Sequence, residues 1–540
     1  MNLLRGYLES SCFLFYIVGE LHRYIHLLRH KLKGLYMLNQ NRMPFVEALE
    51  EYRNEHYVPF HTPGHKTGLE APTLLKEWMG NALSYDLGVM YALDDLHEPE
   101  GALLEAQQLS AELYGADYCW FSINGTTSLI ETMIMATVGE GDTIILPRET
   151  HKSVISGLVL SGAHPVYMEP VFDDQWGIPI GVTVEEAIRQ MDLHSQAKAI
   201  LLVYPNYYGV GVQIEDIVKA AHERNIIVLV DEAHGAHLLF SKELPIEAIQ
   251  CGADLVAQST HKLIGSLTQT SMLFGQGKRI DYRRVTQMHQ MLQSTSPNYI
   301  FLASLDMARH QMAINGVELL SRTISLAKQL RTELNDIRGI KTMDLNSICD
   351  KNRHFDFTKV LIDAGGLGLT GVEFERLLRC EHIEVELVQA NHVLVLVTIG
   401  DSSKSIGALV EAVKTISCNR ETILHSHDKG TPVISHGDFE FPIEETDPAE
   451  SSLVYELPTP VVRFSPRQGV YKERERVSLL DSVGRISGET ISYYPPGIPF
   501  VSIGEEITPC VVKYIEVHKQ NGYVPNGAND GTLETVLVLK

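Results

Sequence analysis

Short apolar segments alternate with amphipathic segments between residues 118 and 262, and this alternation constrains the fold more than any other feature of the sequence. Five apolar segments have the length and composition of buried strands, and they begin at Tyr118, Thr143, Ala199, Ile226 and Ala253. Between them, apolar residues recur three and four apart, as in residues 214–221, which is helical spacing. Strands that alternate with helices predict an α/β protein whose mainly parallel sheet is covered by helices on both faces.

The rest of the chain differs in pattern from this region. A long helical pattern from Gln311 is followed by apolar strand candidates at residues 358–364 and 392–400, which indicates a second, smaller α/β unit. A polar, turn-rich segment follows, and then short strands with Pro and Gly turns. The predicted organisation is, in chain order, an N-terminal extension of unknown role (1–40), a large domain (41–310), a small α/β domain (311–420), an acidic linker (421–452) and a C-terminal α+β domain (453–540).

Charge and cysteine content exclude several classes of protein. The 45 Lys and Arg residues stand against 68 Asp and Glu residues, and the net charge of −23 argues against a nucleic-acid partner. Seven cysteines without a CxxC pair argue against a disulfide framework and a zinc ribbon, so we expect a cytoplasmic protein. No metal site is predicted, because nothing fixes the geometry of the linker histidines His425, His427 and His436.

The N-terminal extension contains an apolar run, residues 12–18, followed by a basic segment. The run is about half as long as a membrane-spanning helix, so no membrane partner is predicted. One interpretation is a helix that lies on a membrane surface with a basic face. The other is an extension outside the fold, with the folded protein beginning near Met37 or Met43.

Three of the predicted strands end in residues that can carry chemistry, and ligands of open parallel sheets bind at the carboxyl ends of strands. The first strand leads into residues 124–127 and a helix, whose N–H groups favour a phosphate, although Thr127 is equally an N-cap. The fourth ends at Asp231, a buried acid whose partner is either a protonated pyridine nitrogen or a local cap or cation. The fifth leads into residues 259–262, where Lys262 is either an activated amine or a surface lysine.

A phosphate site, an acid and a lysine, each at a strand end and in this order along the chain, follow the order of pyridoxal-phosphate enzymes with the aspartate-aminotransferase fold (fold type I). The segment QSTHKLIGSLTQTS, residues 258–271, resembles the cofactor-attachment signature of the Orn/Lys/Arg decarboxylase family. Further segments resemble motifs of that family in its order: FHTPGHKTG, DDLHEPEGAL, PRETHKS, VDEAHGAH, TSPNYIFLASLD and YYPPGIP. The resemblance covers about residues 45–540 and is greatest to the shorter biosynthetic arginine decarboxylases.

The resemblance implies a role for each matching residue. Lys262 is expected to bind pyridoxal 5'-phosphate covalently, and Asp231 to pair with the pyridine nitrogen. His151 is expected to stack on the ring, although the residue taken by itself is better interpreted as a capping or core histidine. His234 is expected near the phenolic oxygen. Contacts with the phosphate are expected from Thr126, Thr127, Ser259 and His261.

The resemblance also implies the reaction and the assembly. The reaction is the decarboxylation of a basic amino acid, L-arginine to agmatine in polyamine biosynthesis, or else the decarboxylation of lysine or ornithine. Competing interpretations of the chain are an aminotransferase, an acyl transferase and a noncatalytic binding protein. Either Lys262 or His261 returns the proton to Cα. Thr295 or Ser296 is expected to reach the cofactor of a neighbouring subunit, so the resemblance implies a homodimer or an assembly of dimers.

A cationic substrate requires carboxylates in its pocket, because a buried unpaired charge costs several kcal/mol. Glu384 and Glu386 are two residues apart in a predicted strand, and alternate residues of a strand share a face. Both are therefore candidates for the substrate pocket, or else solvated glutamates on an exposed face. Asp94, Asp95 and Glu98 are the competing candidates.

Overall fold

The computed structural model describes residues 38–90, 92–389, 391–419, 457–493, 497–520 and 524–540. The chain divides into a unit of residues 1–42 and a compact unit of residues 43–540, which contains the helices and strands of the described residues. Most of the predicted extension and all of the predicted linker, with His425, His427 and His436, lie outside the described residues.

Helices account for much of the described chain. In chain order they are α1 (Pro44–Asn54), α2 (Thr73–Met79), α3 (Ala102–Tyr114), α4 (Gly125–Thr137), α5 (Lys152–Ser161), α6 (Val184–Leu193), α7 (Ile214–Glu223), α8 (Thr260–Leu263), α9 (Tyr282–Leu292), α10 (Tyr299–Asn335), α11 (Gly371–Cys380), α12 (Ser403–Cys418), α13 (Pro466–Val470) and α14 (Pro509–Gln520). Short 3₁₀ turns connect some of them, at Gly80–Tyr85, Leu238–Phe240, Gly365–Leu367 and Leu480–Ser482.

The strands of the described residues are short, and none exceeds five residues. In chain order they are β1 (Tyr118–Ser122), β2 (Thr143–Pro147), β3 (His164–Met168), β4 (Phe172–Asp173), β5 (Ile178–Pro179), β6 (Ala199–Val203), β7 (Val210–Gly211), β8 (Ile227–Asp231), β9 (Leu255–Gln258), β10 (Ser271–Gly275), β11 (Lys341–Thr342), β12 (His354–Phe355), β13 (Lys359–Asp363), β14 (Leu387–Val388), β15 (His392–Leu396), β16 (Arg474–Ser478), β17 (Ile491–Tyr493), β18 (Ile498–Val501), β19 (Pro525–Asn526) and β20 (Thr535–Leu539).

The central sheet has seven strands in the order β1-β10-β9-β8-β6-β2-β3. Strand β10 runs antiparallel to both of its neighbours, and the remaining pairs are parallel. Because β10 separates them, β1 and β9 point the same way, and β1, β8 and β9 all end at one edge of the sheet. The predicted mainly parallel sheet is confirmed, and the three predicted functional segments follow strand ends at this common edge.

Both faces of the central sheet are buried, which explains why its strands are apolar throughout. In β6, Ile200 and Leu202 face one hydrophobic core, whereas Ala199 and Leu201 face the other. Helices α6 and α7 cover the first face, and α4 and α5 cover the second. In α7, the residues that the sequence periodicity places on one face, Ile214, Ile217, Val218 and Ala221, are all buried.

A single helix, α10, joins the large domain to the small one. Its 37 residues run across the predicted boundary between residues 310 and 311. Leu320 and Ile324 belong to the core of the large domain, and Leu326 and Ala327 belong to the core of the small domain. The small domain contains the antiparallel sheet β11-β13-β15-β14, on which α11 and α12 pack.

The C-terminal residues form two small sheets, β16-β20 and β18-β17-β19, around a separate core that includes α14. A buried ion pair joins this part to the large domain, with Arg148 Nη1 2.8 Å from Glu505 Oε1. Arg467 adds a second link, because its Nε donates to the carbonyl of Val159 over 2.7 Å. Among the described helices, none combines the length and the apolarity needed to cross a membrane.

Candidate active site

Lys262 lies at the sheet edge where the predicted functional segments meet. It belongs to α8, a single helical turn that follows β9, and its Nζ is 2.9 Å from Nε2 of His234. His234 lies in the loop after β8, the strand that ends at Asp231. Strands β8 and β9 are parallel neighbours in which Asp231 is opposite Ala257, so the loop of each lies beside the loop of the other.

The surroundings of Lys262 favour its neutral amine. Burial lowers the pKa of Lys262, and the positive charge of Lys359 acts in the same direction. The charges of Asp231 and Glu386 raise that pKa without cancelling the effect of burial. A lowered pKa increases the fraction of neutral amine, which is the nucleophilic form.

Asp231 is a buried acid at the end of its strand, with 5% of its surface exposed. Burial raises its pKa, whereas the charge of Lys262 and a hydrogen bond from the Ala233 amide, 3.1 Å long, act to lower it. A buried carboxyl group in this position is stabilised by a cationic or N–H partner.

His234 is buried and remains neutral. Burial is the main cause that lowers its pKa well below the usual range, and the charge of Lys262 adds to it. Among the described residues, Nδ1 of His234 has no hydrogen-bond partner. The ring of Tyr207 packs against the imidazole with 4.5 Å between ring centroids and 61° between planes. Sequence patterns do not point to Tyr207, since a tyrosine in a turn carries no distinctive signal.

His151 is the N-cap of α5 and also faces the site. Its Nδ1 accepts a hydrogen bond from the Ser153 amide over 3.2 Å, so the capping interpretation describes its local contact. Burial, with the charges of Lys262 and Lys152, lowers the pKa of His151 to about 4. Ring stacking by His151 stays a prediction.

Three hydroxyl groups meet at the N-terminus of α4. Thr126 Oγ1 is 2.5 Å from Ser259 Oγ and 2.7 Å from Ser271 Oγ. The helix dipole and the free N–H groups of its first turn make this end suitable for an anion. The N-cap is Asn124 and not Thr127, whose side chain is exposed in the first turn.

The remaining predicted cofactor contacts are less central. His261 is half-buried, and its Nδ1 donates to the carbonyl of Thr270 over 2.8 Å. Thr295 and Ser296 are exposed in the loop between α9 and α10. Within the described residues, no hydrogen bond joins either of them to Lys262. Their role towards a neighbouring subunit stays a prediction.

Glu386 and Glu384 differ in their surroundings, although they are two residues apart. Tyr207 donates its hydroxyl hydrogen to Glu386 Oε1 over 2.5 Å, and the charge of Glu386 acts on Lys262. Both glutamates are exposed, and Glu384 pairs with Arg379, 3.6 Å away. Both residues precede β14, which begins at Leu387, so the expected common strand face does not form.

The competing acidic loop has mainly structural contacts. Both carboxylate oxygens of Asp94 accept hydrogen bonds from main-chain amides at and before the start of α3; the donors are Asp95, Glu100, Gly101, Leu103 and Leu104. Asp95 accepts a hydrogen bond from the amide of His97 over 2.9 Å. Glu98 is exposed. Asp94 is therefore engaged in fixing the start of α3.

The chain matches the family model of the major domain of Orn/Lys/Arg decarboxylases over residues 43–405, and that of their C-terminal domain over residues 455–524. The chain belongs to the Orn/Lys/Arg decarboxylase family. The family predicted from the motifs is thus confirmed, and with it the assignment as an amino-acid decarboxylase.

Relatives in this decarboxylase family extend over nearly the whole chain. A protein of Bacillus anthracis described as arginine decarboxylase is 39% identical over 510 residues, which are 94% of this chain and 99% of that protein. A Bacillus subtilis protein with the same description is 39% identical over 507 residues, 93% of this chain and 99% of its own.

Solved structures of the family share the fold. Lysine decarboxylase A of Pseudomonas aeruginosa superposes with a TM-score of 0.78 at 21% identity, covering 92% of this chain and 80% of that one. The lysine decarboxylase of Francisella novicida superposes with a TM-score of 0.76 at 19% identity, and the match covers 93% of this chain and 82% of that one. These matches confirm the predicted fold type I architecture.

Proposed function

We propose that the protein catalyses the pyridoxal-phosphate-dependent decarboxylation of L-arginine to agmatine and carbon dioxide. The observation that carries the proposal is the arrangement of Lys262, whose amine is 2.9 Å from neutral His234 and is acted on by the charge of buried Asp231. Family membership supports the reaction type. Support for arginine comes from relatives described as arginine decarboxylases, 38–40% identical over 86–94% of the chain.

The residues of the site fit pyridoxal phosphate. Lys262 would bind it covalently, and the buried carboxyl group of Asp231 would accept a hydrogen bond from its ring nitrogen. The three hydroxyl groups of Thr126, Ser259 and Ser271, with the first turn of α4, would hold the phosphate. When bound, the cofactor supplies an electron sink for the pair released from the bond between Cα and the carboxylate.

The chain's own residues would then control protons and orientation. Neutral His234 accepts a hydrogen bond from Lys262 at Nε2, so its Nδ1 carries a proton that it can donate. Lys262 is better placed than His261 to return a proton to Cα, because His261 already donates its Nδ1 proton to the Thr270 carbonyl. A neutral His151 can pack on a flat ring without charge repulsion.

Glu386 is our proposed partner for the cationic end of the substrate. Its charge acts on Lys262, and Tyr207 fixes one of its carboxylate oxygens. A planar guanidinium group forms two-point hydrogen bonds with a carboxylate, so such a residue favours arginine. Glu384 is directed to Arg379 and is not included.

We also propose a cytoplasmic homodimer, or an assembly of dimers, that acts in polyamine biosynthesis. Exposed apolar side chains support an interface along residues 57–79; they include Tyr57, Val58, Phe60, Leu69 and Trp78. The exposed loop with Thr295 and Ser296 would then be available to a second subunit. Light scattering at assay concentration tests this, and an active monomer would contradict it.

The function is tested by carbon dioxide release from arginine, lysine and ornithine at equal concentrations, after incubation with pyridoxal phosphate. We expect arginine to be the best substrate and the loaded protein to absorb visible light. Lys262→Ala should lose both properties, whereas Lys198→Ala, which removes an exposed lysine paired with Asp142, should keep them. Greater turnover of lysine or ornithine would reassign the substrate, and turnover by Lys262→Ala would refute the mechanism.

A further inference from the structure

A fully buried charged cluster lies directly behind the His234 loop and has no part in the proposed reaction. Lys359 and Asp356 have no exposed surface, and Lys359 Nζ is 2.8 Å from Asp356 Oδ2. His237 Nε2 is 3.1 Å from the same oxygen. A buried ion pair of this kind is weak as a source of stability, because desolvation offsets its attraction. Its presence therefore calls for another explanation.

The cluster holds Asp356 in one orientation. Its second oxygen, Oδ1, accepts hydrogen bonds from the amide and the hydroxyl of Thr358, over 2.9 and 2.7 Å. Arg331 completes the charged surroundings by donating to the carbonyl oxygens of Lys359 and Met343. With both carboxylate oxygens occupied, Asp356 fixes the position of the Lys359 ammonium group.

Lys359 in turn reaches the active-site loop. Its Nζ donates to the carbonyl oxygen of His234 over 3.2 Å, and the side chain of the same histidine is 2.9 Å from Lys262. A continuous path of contacts thus runs from Asp356 through Lys359 and His234 to Lys262. It joins the start of β13 in the small domain to the reactive amine in the large domain.

The same cluster supports the turn that carries Tyr207. The amide of Asp356 donates to the carbonyl of Gly209 over 2.8 Å. Gly209 has a φ of +85°, and a Cβ there would lie 2.9 Å from both the Asp356 carbonyl oxygen and Lys359 Cγ. A side chain larger than hydrogen would displace the turn from the cluster. Both active-site loops therefore rest on residues 356–359.

We propose that Lys359 is a positioning residue, which acts through the main chain of His234 to hold the His234 side chain against Lys262. The proposal rests on the proposed function only in treating Lys262 as the reactive amine. The Lys359 side chain that makes this contact is long and fully buried, and the carboxylate of Asp356 compensates its charge. It fixes the loop without placing an unpaired charge in the site.

The charges around Lys262 give this arrangement a measurable consequence. Lys359 lowers the pKa of Lys262, whereas Asp231 and Glu386 raise it, and the neighbouring His234, His151 and His261 have lowered pKa values that keep them neutral. Around Lys359 the charged or titratable groups are Asp356, His237 and Arg331. Removing the Lys359 charge leaves Asp356 less compensated. Both changes raise the pKa of Lys262.

The experiment compares Lys359→Met with the unchanged protein, each loaded with pyridoxal phosphate. We expect the pH midpoint of the visible absorbance change to rise by about one unit, the size that a neighbouring charge produces. We expect kcat for arginine to fall about tenfold or more, with KM changed much less, because the main-chain hydrogen bond from Asp356 that supports the Tyr207 turn does not involve the Lys359 side chain. Lys414→Met, an exposed lysine of α12 paired with Glu411, is the matched control and should change neither.

A second variant distinguishes the effect of the Lys359 charge on the pKa of Lys262 from its effect on the position of His234. It also avoids leaving a buried charge without a partner, which could prevent folding. In Asp356→Asn/Lys359→Met the buried pair is neutral, so the absorbance midpoint should return towards that of the unchanged protein while kcat stays low. A folded Lys359→Met protein with unchanged midpoint and kcat would overturn the proposal. The reactivity of the free Lys262 amine towards acetic anhydride against pH, measured without cofactor, tests whether the same neighbouring charges shift the pKa of that amine. The acetic anhydride measurement does not depend on cofactor binding. If the unchanged protein showed no visible band after loading, the proposed function would be refuted, but the proposal for Lys359 could still be tested in this way.

Discussion

Glu505 and Arg148 form an ion pair that is buried on both sides, with 4% of each side chain exposed. The contact is bidentate, because Arg148 Nη1 and Nη2 donate to the two carboxylate oxygens over 2.8 and 3.0 Å. Arg148 stands three residues before His151 in the loop that leads to α5. The ion pair therefore links the C-terminal domain to the loop of the large domain that carries His151.

Glu505→Gln should lower the free energy of unfolding by about 3 kcal/mol or more, since the change leaves the buried guanidinium of Arg148 without its counter-ion. Urea denaturation of the two proteins measures the difference. The matched control is Glu506→Gln, which removes the neighbouring pair with Arg463, whose side chain is 55% exposed. That pair should contribute less than about 1 kcal/mol. Equal effects of the two changes would contradict the prediction.

Asp231→Ala should leave the cofactor attached through Lys262 but slow turnover by about a hundredfold to a thousandfold. The reason is that the change removes the carboxyl group that we propose as the partner of the positively charged ring nitrogen. Visible absorbance measures cofactor retention, and carbon dioxide release measures kcat. Asp192→Ala, an exposed residue paired with Arg224, is the control and should behave as the unchanged protein. A loss of less than about tenfold would show that Asp231 is not the partner of the nitrogen.

Glu386→Gln should raise KM for arginine about tenfold or more, with visible absorbance unchanged, because the guanidinium loses a charged partner. Glu384→Gln is a closely matched control, since Glu384 is two residues away and pairs with Arg379. It should leave KM unchanged. A rise in Asp95→Asn without one in Glu386→Gln would instead place the cationic end of the substrate beside the acidic loop.

His289 should make the protein less stable in mild acid. It is buried, its Nε2 donates to the carbonyl of Phe121 over 3.0 Å, and burial lowers its pKa to about 4. Between pH 6.5 and 4 the unfolded chain takes up a proton at this histidine and the folded protein does not, so stability falls as the pH falls. The contribution reaches about 3 kcal/mol.

The test for His289 is urea denaturation at pH 7 and pH 5 with His289→Gln as the comparison. The variant is expected to be less stable at pH 7, because it loses packing, but to show a smaller drop between the two pH values. An identical drop in both proteins would mean that other groups account for the acid sensitivity.

The positions of Lys262, Asp231 and Thr126 near one sheet edge were predictable because each follows an apolar strand, and parallel strands end together. Tyr207 and Lys359 were not predictable in the same way. A tyrosine in a turn has no periodic pattern, and a lysine at the start of a strand is usually exposed, so its complete burial depends on the distant His237 and on Asp356.

Side-chain direction was harder to predict than secondary structure. Glu384 and Glu386 would share a face only if both lay in a regular strand. Strand β14 begins at Leu387, one residue after Glu386, so neither glutamate belongs to it. Outside the strand, Arg379 from α11 determines where Glu384 lies. The N-cap of α4 shows the same limit, because Asn124 and Thr127 are both suitable by composition and only the main-chain path selects Asn124.

The uninterrupted helix α10 has a mechanical consequence for the two domains that share it. Ile324 is packed in one core and Leu326 in the other, so the change of core occurs within one helical turn and without a flexible joint. A helix of this length behaves as a rod of about 55 Å. The small domain therefore cannot swing freely at this connection. Any movement of the small domain that displaces Lys359 and Glu386 relative to Lys262 must bend α10 or shift the whole helix against the large domain.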